Sequence, residues 1–268
     1  MESTRSSPGA LPRFPWKIFW VFLIASVAAM AGLLPLVFGL YRKIISNGPL
    51  PMPLPVLIAV QLMESALLFA ALIAVGLFLA GKVGIAMPLL ARWFYRSQRP
   101  APKNAVLGPL FSGLVVGALG LLIFYTCFRS HLPDWPVAAE AALPIWKRFL
   151  ACFYGAINEE ILARLFGFSV VLWVLRKIAR EKTPQAGPIV FWIGNAIVAV
   201  LFVLAHLPSA RIVMPITPLL LAALFSINGL VSLVCGYLCW RRGLEAAMLA
   251  HFATDLVVHV IGPMFFRS

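Results

Sequence analysis

Long apolar stretches alternate with short polar ones along the whole chain. An apolar run of roughly 20 residues is long enough to cross about 30 Å of hydrocarbon as a helix. Such runs lie at about residues 16–41, 54–80, 106–128, 143–175, 189–206, 218–240 and 244–262. The pattern predicts an all-α fold, a polytopic transmembrane helix bundle of about seven to eight spans. We divide it into N-terminal membrane helices over residues 1–142 and a helix core over residues 143–262.

Composition supports this interpretation. Of the 268 residues, 62% are hydrophobic and 12% are charged, which leaves too little polar surface for a soluble domain of this size. The net charge of +13 would suggest a nucleic-acid partner in a soluble protein. Here the basic residues fall in short loops between predicted spans, where membrane topology and anionic lipid headgroups account for them. We therefore expect membrane lipid as a partner, and no nucleic acid.

The loop charges also predict an orientation. With seven spans, the basic residues of one side are Arg5, Arg13, Lys17, Lys82, Arg92, Arg96, Arg99, Lys103, Arg176, Lys177, Arg180, Lys182, Arg241 and Arg242. Those of the other side are Arg42, Lys43, Arg129, Lys147, Arg148, Arg211 and Arg267. The richer side should be cytoplasmic, which places the N-terminus inside. The segment 82–100 has the composition of a basic helix lying on that cytoplasmic face.

Charged residues inside the predicted spans are the first candidates for function. A charge near the bilayer centre costs about 2.5–3.5 kcal/mol on insertion scales, so it usually has a partner and a purpose. The charged residues within spans are Glu64, Glu159, Glu160, Arg164 and Asp255. Glu160 and Arg164 are four residues apart on a helix, a spacing that predicts an ion pair. Glu159 is turned about 100° away from Glu160 and is available for another role.

Two histidines on other spans can meet Glu159. Phe202 and His206 are four apart on the fifth span, and His251 and Asp255 are four apart on the seventh. Polar groups buried in lipid converge in the bundle interior. A carboxylate beside an imidazole can take a proton from water, and a second imidazole can stabilise an oxyanion. The same three groups could instead hold a zinc ion with its water.

The order of these motifs carries a family resemblance. E-E-x-x-x-R, then F-x-x-x-H, then H-x-x-x-D resembles the three-motif signature of the CPBP family, the CAAX-protease and bacteriocin-processing (ABI) membrane proteins. The resemblance covers about residues 143–262. The positions that carry it are Glu159, Glu160, Arg164, Phe202, His206, His251 and Asp255. Taken singly, each motif also fits a structural role, as a helix-locking ion pair, a headgroup-facing histidine or a packing pair.

The resemblance implies an intramembrane endopeptidase of the CAAX prenyl protease 2 type. Glu159 and His206 would activate water, and His251 with Asp255 would form the oxyanion side. Glu160, Arg164 and Phe202 would support these four. Family members that process prenylated CAAX substrates often have Asn at the position of Asp255. An ionised Asp255 cannot donate to an oxyanion, so it is either protonated or orients His251.

The same residues are compatible with a metal site and with two other functions. Zinc held by Glu159, His206 and His251 is an alternative, although these residues lack the H-E-x-x-H spacing that places two ligands on one helix. We favour a general-base route and assign no cofactor. A non-catalytic immunity or scaffold protein is the second functional interpretation. A proton-coupled transporter is the third, and it is less favoured because the sequence has no internal repeat.

The expected substrate is a membrane-associated peptide or protein, with prenylated CAAX-type peptides among the candidates. The expected location is a bacterial cytoplasmic membrane, with several spans and a cytoplasmic N-terminus. The sequence gives no indication of the oligomeric state.

Overall fold

A computed structural model describes residues 14–44, 52–96, 104–133, 135–183 and 185–266. These residues form helices and contain no β-strand, so the all-α prediction is confirmed. The α-helices are α1 (Trp16–Ile44), α2 (Leu54–Val83), α3 (Pro88–Tyr95), α4 (Leu107–Ile123), α5 (Trp135–Ala141), α6 (Ile145–Tyr154), α7 (Ser169–Ile178), α8 (Pro188–Val213), α9 (Pro218–Arg242) and α10 (Leu244–Asp255). Wider π-helical turns occupy Phe124–Phe128, Gly155–Glu159, Ile161–Phe168 and Leu256–Ile261.

Six helical segments in the described part of the chain are long and apolar enough to cross a membrane. They are Trp16–Gly39, Leu54–Val83, Leu107–Phe128, Pro188–Val213, Pro218–Arg242 and Leu244–Phe265. The remaining predicted span, residues 143–175, corresponds to an unbroken helical run over residues 145–178 that passes through two π-helical stretches. That run carries the E-E-x-x-x-R motif, which places three charged residues within six positions. The prediction of a polytopic bundle is thus confirmed, and the number of spans approximately so.

One helix boundary differs from the sequence prediction in a way that matters for the site. The apolar run predicted that the fifth span ends at about His206, two residues before Pro208, and a proline inside a helix usually breaks it. Helix α8 instead continues through Pro208 to Val213. His206 therefore lies inside the helix rather than at its end, at a depth where side chains of other spans can reach it.

Helix α10 packs closely against α4 through glycines. A Cβ atom at Gly113 would overlap the carbonyl of Ala250, and one at Gly117 would lie 2.7 Å from Cβ of Val257. Thr254 Oγ1 donates to the carbonyl of Gly113 over 3.0 Å. Small residues at this spacing let two membrane helices approach closely. The contact fixes the helix that carries His251 and Asp255.

The helix directions define two ends of the bundle. At one end, which we call the basic end, Lys17 N donates to Tyr95 Oη over 3.2 Å, and Leu244 N donates to the carbonyl of Ala86 over 2.9 Å. Basic residues of the described chain at this end are Lys17, Lys82, Arg92, Arg96, Arg176, Lys177, Arg180, Lys182, Arg241 and Arg242. The other end, which we call the distal end, carries α5, the start of α6 and the end of α8.

The interfacial helix predicted over residues 82–100 is shorter than expected. Its helical part is α3, where Trp93 is 81% exposed. The buried Glu245 accepts from the backbone N–H groups of Leu89 and Leu90, each over 3.1 Å, and so caps the first turn of α3. Residues 97–103, like residues 1–13, lie outside the described part of the chain.

Two charged residues lie in environments that the sequence analysis did not predict. Arg148 was counted as a loop residue, but it is fully buried and donates from Nη1 to the carbonyl of His259 over 3.1 Å. Glu64, one of the charges within a span, is exposed on the surface of α2 and does not line the cavity described below.

Candidate active site

Glu159 is the point at which three predicted site elements converge. It ends the π-helical stretch Gly155–Glu159, a type of turn that is frequent at functional sites. Its Oε2 atom lies 3.7 Å from Nε2 of His206 on α8 and 3.8 Å from Nε2 of His251 on α10. The structure therefore brings together the carboxylate and the two histidines that the sequence suggested. Their chemical roles stay predictions.

Glu160 and Arg164 form the predicted ion pair. Arg164 Nε lies 3.3 Å from Oε2 of Glu160, and both side chains are buried. Arg164 also donates from Nη2 to the carbonyl and to Oγ of Ser232, over 2.8 and 3.0 Å. The two opposite charges compensate each other inside the bundle, which is a requirement for burying either of them.

Glu160 has a second partner that sequence reasoning missed. Its Oε1 atom accepts a hydrogen bond from Nδ1 of His251 over 2.7 Å. This bond turns Nε2 of His251 towards Glu159 and towards Asp255, whose Oδ1 lies 3.6 Å away. Glu160, rather than Asp255, is thus the carboxylate that holds the imidazole. The two residues are 91 positions apart, so no local spacing could have indicated the contact.

His206 is held by its own helix. Its Nδ1 lies 2.7 Å from the carbonyl oxygen of Phe202. A carbonyl can only accept, so Nδ1 carries the hydrogen. In a neutral ring this leaves Nε2 as the acceptor nitrogen, and Nε2 is the atom that faces Glu159. The two histidines therefore present the same ring nitrogen to the same carboxylate.

Phe202 contacts three members of the site. Its ring lies 5.1 Å from Cζ of Arg164, a distance suited to a cation–π interaction. The ring centroids of His206 and His251 lie 4.7 and 5.9 Å from its own. The apolar ring of Phe202 thus packs against the guanidinium of the ion pair and against both imidazoles. The supporting role that the F-x-x-x-H motif suggested for Phe202 stays a prediction.

Gly155 makes room for Asp255. A Cβ atom at position 155 would overlap Oδ2 of Asp255 and lie 3.2 Å from Nε2 of His251. Any side chain at this position would therefore displace the Asp255 carboxyl. Sequence reasoning did not identify Gly155, because a glycine in a membrane helix is common and carries no chemical group.

A cavity of about 700 Å³ adjoins the site, which is within the range of small-ligand pockets. Glu159, His206, His251 and Asp255 all line it. The other lining residues are Leu33, Leu36, Val37, Glu140, Ala151, Tyr154, Gly155, Leu162, Phe202, Ala205, Pro208, Ser209, Asn228 and His259. The sequence motifs do not include His259, yet its Nδ1 lies 2.7 Å from Oε1 of Glu140 and ties α5 to the last span.

The donor atoms of the site can be compared with those that bind zinc in proteins. Both histidines present Nε2 to Glu159 while Nδ1 is hydrogen-bonded, as in many zinc sites. In the described residues, however, the three ligand atoms that lie within 4.8 Å of one another belong to Glu160, Cys235 and His251. Glu160 already pairs with Arg164, and a cation there would face the guanidinium. That group does not suit a metal ion. Glu159, His206 and His251 have suitable donor atoms, and they are the residues that would hold a zinc ion.

Comparison with known proteins bears on this arrangement. A protein-family model described as Type II CAAX prenyl endopeptidase Rce1-like matches residues 141–257. Every residue of the three motifs lies within the matched segment. Residues 141–257 are therefore similar to the Rce1-like family.

The Rce1-like match confirms the CPBP resemblance seen in the sequence. No curated protein and no solved structure matches the chain. The Rce1-like match and the six apolar helices of the described residues together support a multi-pass membrane protein.

Proposed function

We propose that this Rce1-like protein is an intramembrane endopeptidase that hydrolyses a peptide bond in a membrane-associated substrate. CAAX-type peptides, prenylated or not, are the first candidates. The observation that carries the proposal is the position of Glu159. Its carboxylate faces Nε2 of His206 at 3.7 Å and Nε2 of His251 at 3.8 Å, on the wall of a cavity inside the bundle.

The gap between Glu159 and His206 suits a water molecule. At 3.7 Å the two polar atoms are too far apart for a direct hydrogen bond, and a water can bridge such a distance. This water would donate one hydrogen to Glu159 and one to Nε2 of His206. Glu159 then takes the proton as the water oxygen forms a bond to the carbonyl carbon of the substrate. The electron pair of the C=O bond moves onto the oxygen.

His251 also faces Glu159 and would receive that oxyanion. Its Nδ1 is engaged by Glu160, so Nε2 is the atom that can donate into the cavity. To donate from both ring nitrogens, His251 must act as an imidazolium. The Asp255 carboxyl, 3.6 Å from Nε2, would stabilise that cation or, when protonated, donate a second hydrogen bond to the oxyanion.

Collapse of the tetrahedral intermediate completes the reaction. The C–N bond breaks, and the proton held between Glu159 and His206 passes to the leaving nitrogen. The products are a carboxylate and an amine, and water is the only co-reactant. No covalent intermediate with the protein forms in this scheme. The match to a peptidase family supports this function over the transporter and the non-catalytic scaffold.

The test is a cleavage assay with purified protein in liposomes. A library of C-terminal peptides, each with and without an S-farnesyl or S-geranylgeranyl group, is incubated with the protein and analysed by mass spectrometry. We expect one or more peptides to be cut by the wild type and left intact by Glu159→Ala. Glu64→Ala is the matched control, because Glu64 is an exposed carboxylate outside the cavity. Equal cleavage by wild type and Glu159→Ala would refute the proposal.

A further inference from the structure

His259 and Glu140 form a hydrogen-bonded pair on the cavity wall that the proposed reaction does not use. Nδ1 of His259 lies 2.7 Å from Oε1 of Glu140, and both residues line the cavity. An ionised carboxylate can only accept, so Nδ1 carries the hydrogen. The His259 side chain is 44% exposed, so it is accessible from the cavity that it lines. The pair is therefore a polar feature of the cavity that has no assigned role.

His259 lies on the same wall as the oxyanion side of the site. In an α-helix a four-residue step turns a side chain by roughly 40° beyond one full turn, and such a step separates His251 from Asp255. The next four-residue step runs through the π-helical turn Leu256–Ile261, where i→i+5 bonding places more than four residues in each turn. This second step therefore rotates in the opposite sense. It keeps a third polar residue of the last span on the cavity face.

His259 is held in place from two sides. Glu140 fixes the orientation of its ring through Nδ1. The fully buried Arg148 donates from Nη1 to the backbone carbonyl of His259 over 3.1 Å and so fixes the turn that carries it. A donor that is already ordered loses less conformational freedom on binding a ligand than a mobile one does. Nε2 of His259 is thus a preorganised atom on the cavity wall.

The charges of the lining favour His259 as the place for an anion. No lining residue in the described chain is Lys or Arg, so histidine is the lining residue type that can carry a positive charge. His206 and His251 already have roles in the proposed reaction, and the carboxylates beside them disfavour an anion there. The Glu140 carboxylate stabilises the imidazolium form of His259, in which both ring nitrogens donate. Nε2 of His259 can then bind an anionic oxygen.

The length of this wall suits a short peptide. His251 and His259 are eight residues apart. That separation corresponds to about 12 Å at the α-helical rise, and slightly less through the π-helical turn. An extended peptide covers about 3.3–3.6 Å per residue, so about three of its residues reach from a carbonyl at His251 to an anion at His259. The negative charge that an unmodified peptide carries whatever its sequence is its C-terminal carboxylate.

We infer that Nε2 of His259 binds the C-terminal carboxylate of the peptide substrate. The inference rests on the proposed function, because it names the end of the peptide that the same site takes. The imidazolium lies between the Glu140 carboxylate and that of the substrate, and both hydrogen bonds are charge-assisted. A C-terminal amide has no negative charge to offer Nε2, and an internal segment has no terminal carboxylate. The site therefore selects free C-termini.

Two matched peptides test this inference by binding, without any need for cleavage. A dansyl-labelled, S-farnesylated peptide that ends in cysteine, two alanines and leucine is made as the free acid and as the C-terminal amide. Binding of each is measured by fluorescence anisotropy with Glu159→Gln protein in lipid nanodiscs, so that neither peptide is cut. We expect the acid to bind roughly 10–100-fold more tightly, because the amide loses a charge-assisted hydrogen bond. Equal Kd values for the two peptides would overturn the inference.

A substitution of His259 assigns the preference to this residue. His259→Gln, made in the same Glu159→Gln protein, removes the cation beside Glu140. We expect the ratio of the two Kd values to fall to near unity through weaker binding of the acid. His131→Gln is the matched control, because His131 is exposed and does not line the cavity, and it should keep the ratio. An unchanged ratio in His259→Gln, or equal weakening of both peptides, would contradict the inference, since a purely structural role affects both alike.

Cleavage of the same two peptides separates this inference from the proposed function. With protein that retains Glu159, we expect kcat/KM to favour the acid, mainly through a lower KM. Equal cleavage of acid and amide, together with equal binding, would refute the inference and leave the endopeptidase proposal intact. A binding preference that depends on His259, with no cleavage of any peptide, would refute the proposed function and leave the carboxylate site.

Discussion

Nδ1 of His251 donates to Oε1 of Glu160 over 2.7 Å, and this hydrogen bond joins the last span to the helix that carries the E-E-x-x-x-R motif. The other oxygen of Glu160 pairs with Arg164 over 3.3 Å. Arg164, Glu160 and His251 thus form a buried chain that fixes the imidazole and aims Nε2 at the cavity. The second glutamate of the motif holds the site together, while the first faces the cavity.

This chain predicts an effect of Arg164→Ala on stability. The substitution leaves Glu160 buried without its counter-ion, which costs roughly 3–5 kcal/mol, whereas loss of both partners can be much milder. We expect a lower Tm in detergent for Arg164→Ala than for the double variant Glu160→Gln/Arg164→Met. A double variant that is no more stable than the single one would contradict the pairing.

Glu160 also positions His251, and this predicts a kinetic effect of the same double variant. The glutamine that replaces Glu160 offers only a neutral amide to Nδ1 of His251, so the imidazolium that stabilises the oxyanion is less favoured. We expect kcat to fall while KM stays near the wild-type value. A rise in KM with unchanged kcat would show that Glu160 acts on substrate binding instead.

Asp255 can be tested by two substitutions of similar size. Asp255→Asn keeps a group that can donate to an oxyanion, and Asp255→Leu removes it. If Asp255 belongs to the oxyanion side, Asp255→Asn should retain most of the activity, and Asp255→Leu should lose roughly 10²–10³-fold in kcat. Equal activity of Asp255→Leu and the wild type would remove Asp255 from the site.

The contacts of Gly155 predict that its substitution by alanine, which adds one methyl group, reduces activity. Gly155→Ala puts a methyl group where the Asp255 carboxyl lies and next to Nε2 of His251. We expect the cleavage rate to fall sharply, because the carboxyl must move, with a stability cost of about 1–3 kcal/mol for overpacking. Gly81→Ala is the matched control, since nothing lies within 4 Å of a Cβ at that position. The cleavage rate of each variant is measured with its Tm.

Comparison of these residues with the sequence indicates what can be predicted from it. The bundle follows from the lengths of the apolar runs, and the Glu160–Arg164 pair follows from helix periodicity, so both were predictable. The approach of Glu159 to two histidines was suggested by the cost of burying polar groups singly. In each case the prediction rests either on a local residue spacing or on the free-energy cost of placing a polar group in hydrocarbon.

Other features depend on how distant helices pack, and no local pattern contains that information. The Glu160–His251 bond joins residues 91 positions apart. Arg148 follows a predicted loop in the sequence but is buried by the last span, where it meets the carbonyl of His259. The apolar run placed His206 at the end of a span, whereas α8 continues past Pro208 to Val213.

The general-base scheme predicts that cleavage needs no tightly bound metal. Purified, active protein is dialysed against a chelator, and its metal content is measured together with its activity. We expect cleavage to persist once metal falls well below one equivalent. Stoichiometric zinc whose removal abolishes cleavage, and whose return restores it, would replace the general-base scheme by one in which Glu159, His206 and His251 hold the ion.

The most direct test of the central claim is the kcat of Glu159→Gln on the best-cleaved peptide, compared with wild type and with Glu64→Gln. Glutamine keeps the size of Glu159 and cannot take a proton from water. With the fold intact by Tm, the account predicts a loss of roughly 10²–10⁴-fold for Glu159→Gln and no loss for Glu64→Gln. Cleavage by Glu159→Gln at close to the wild-type rate would contradict it.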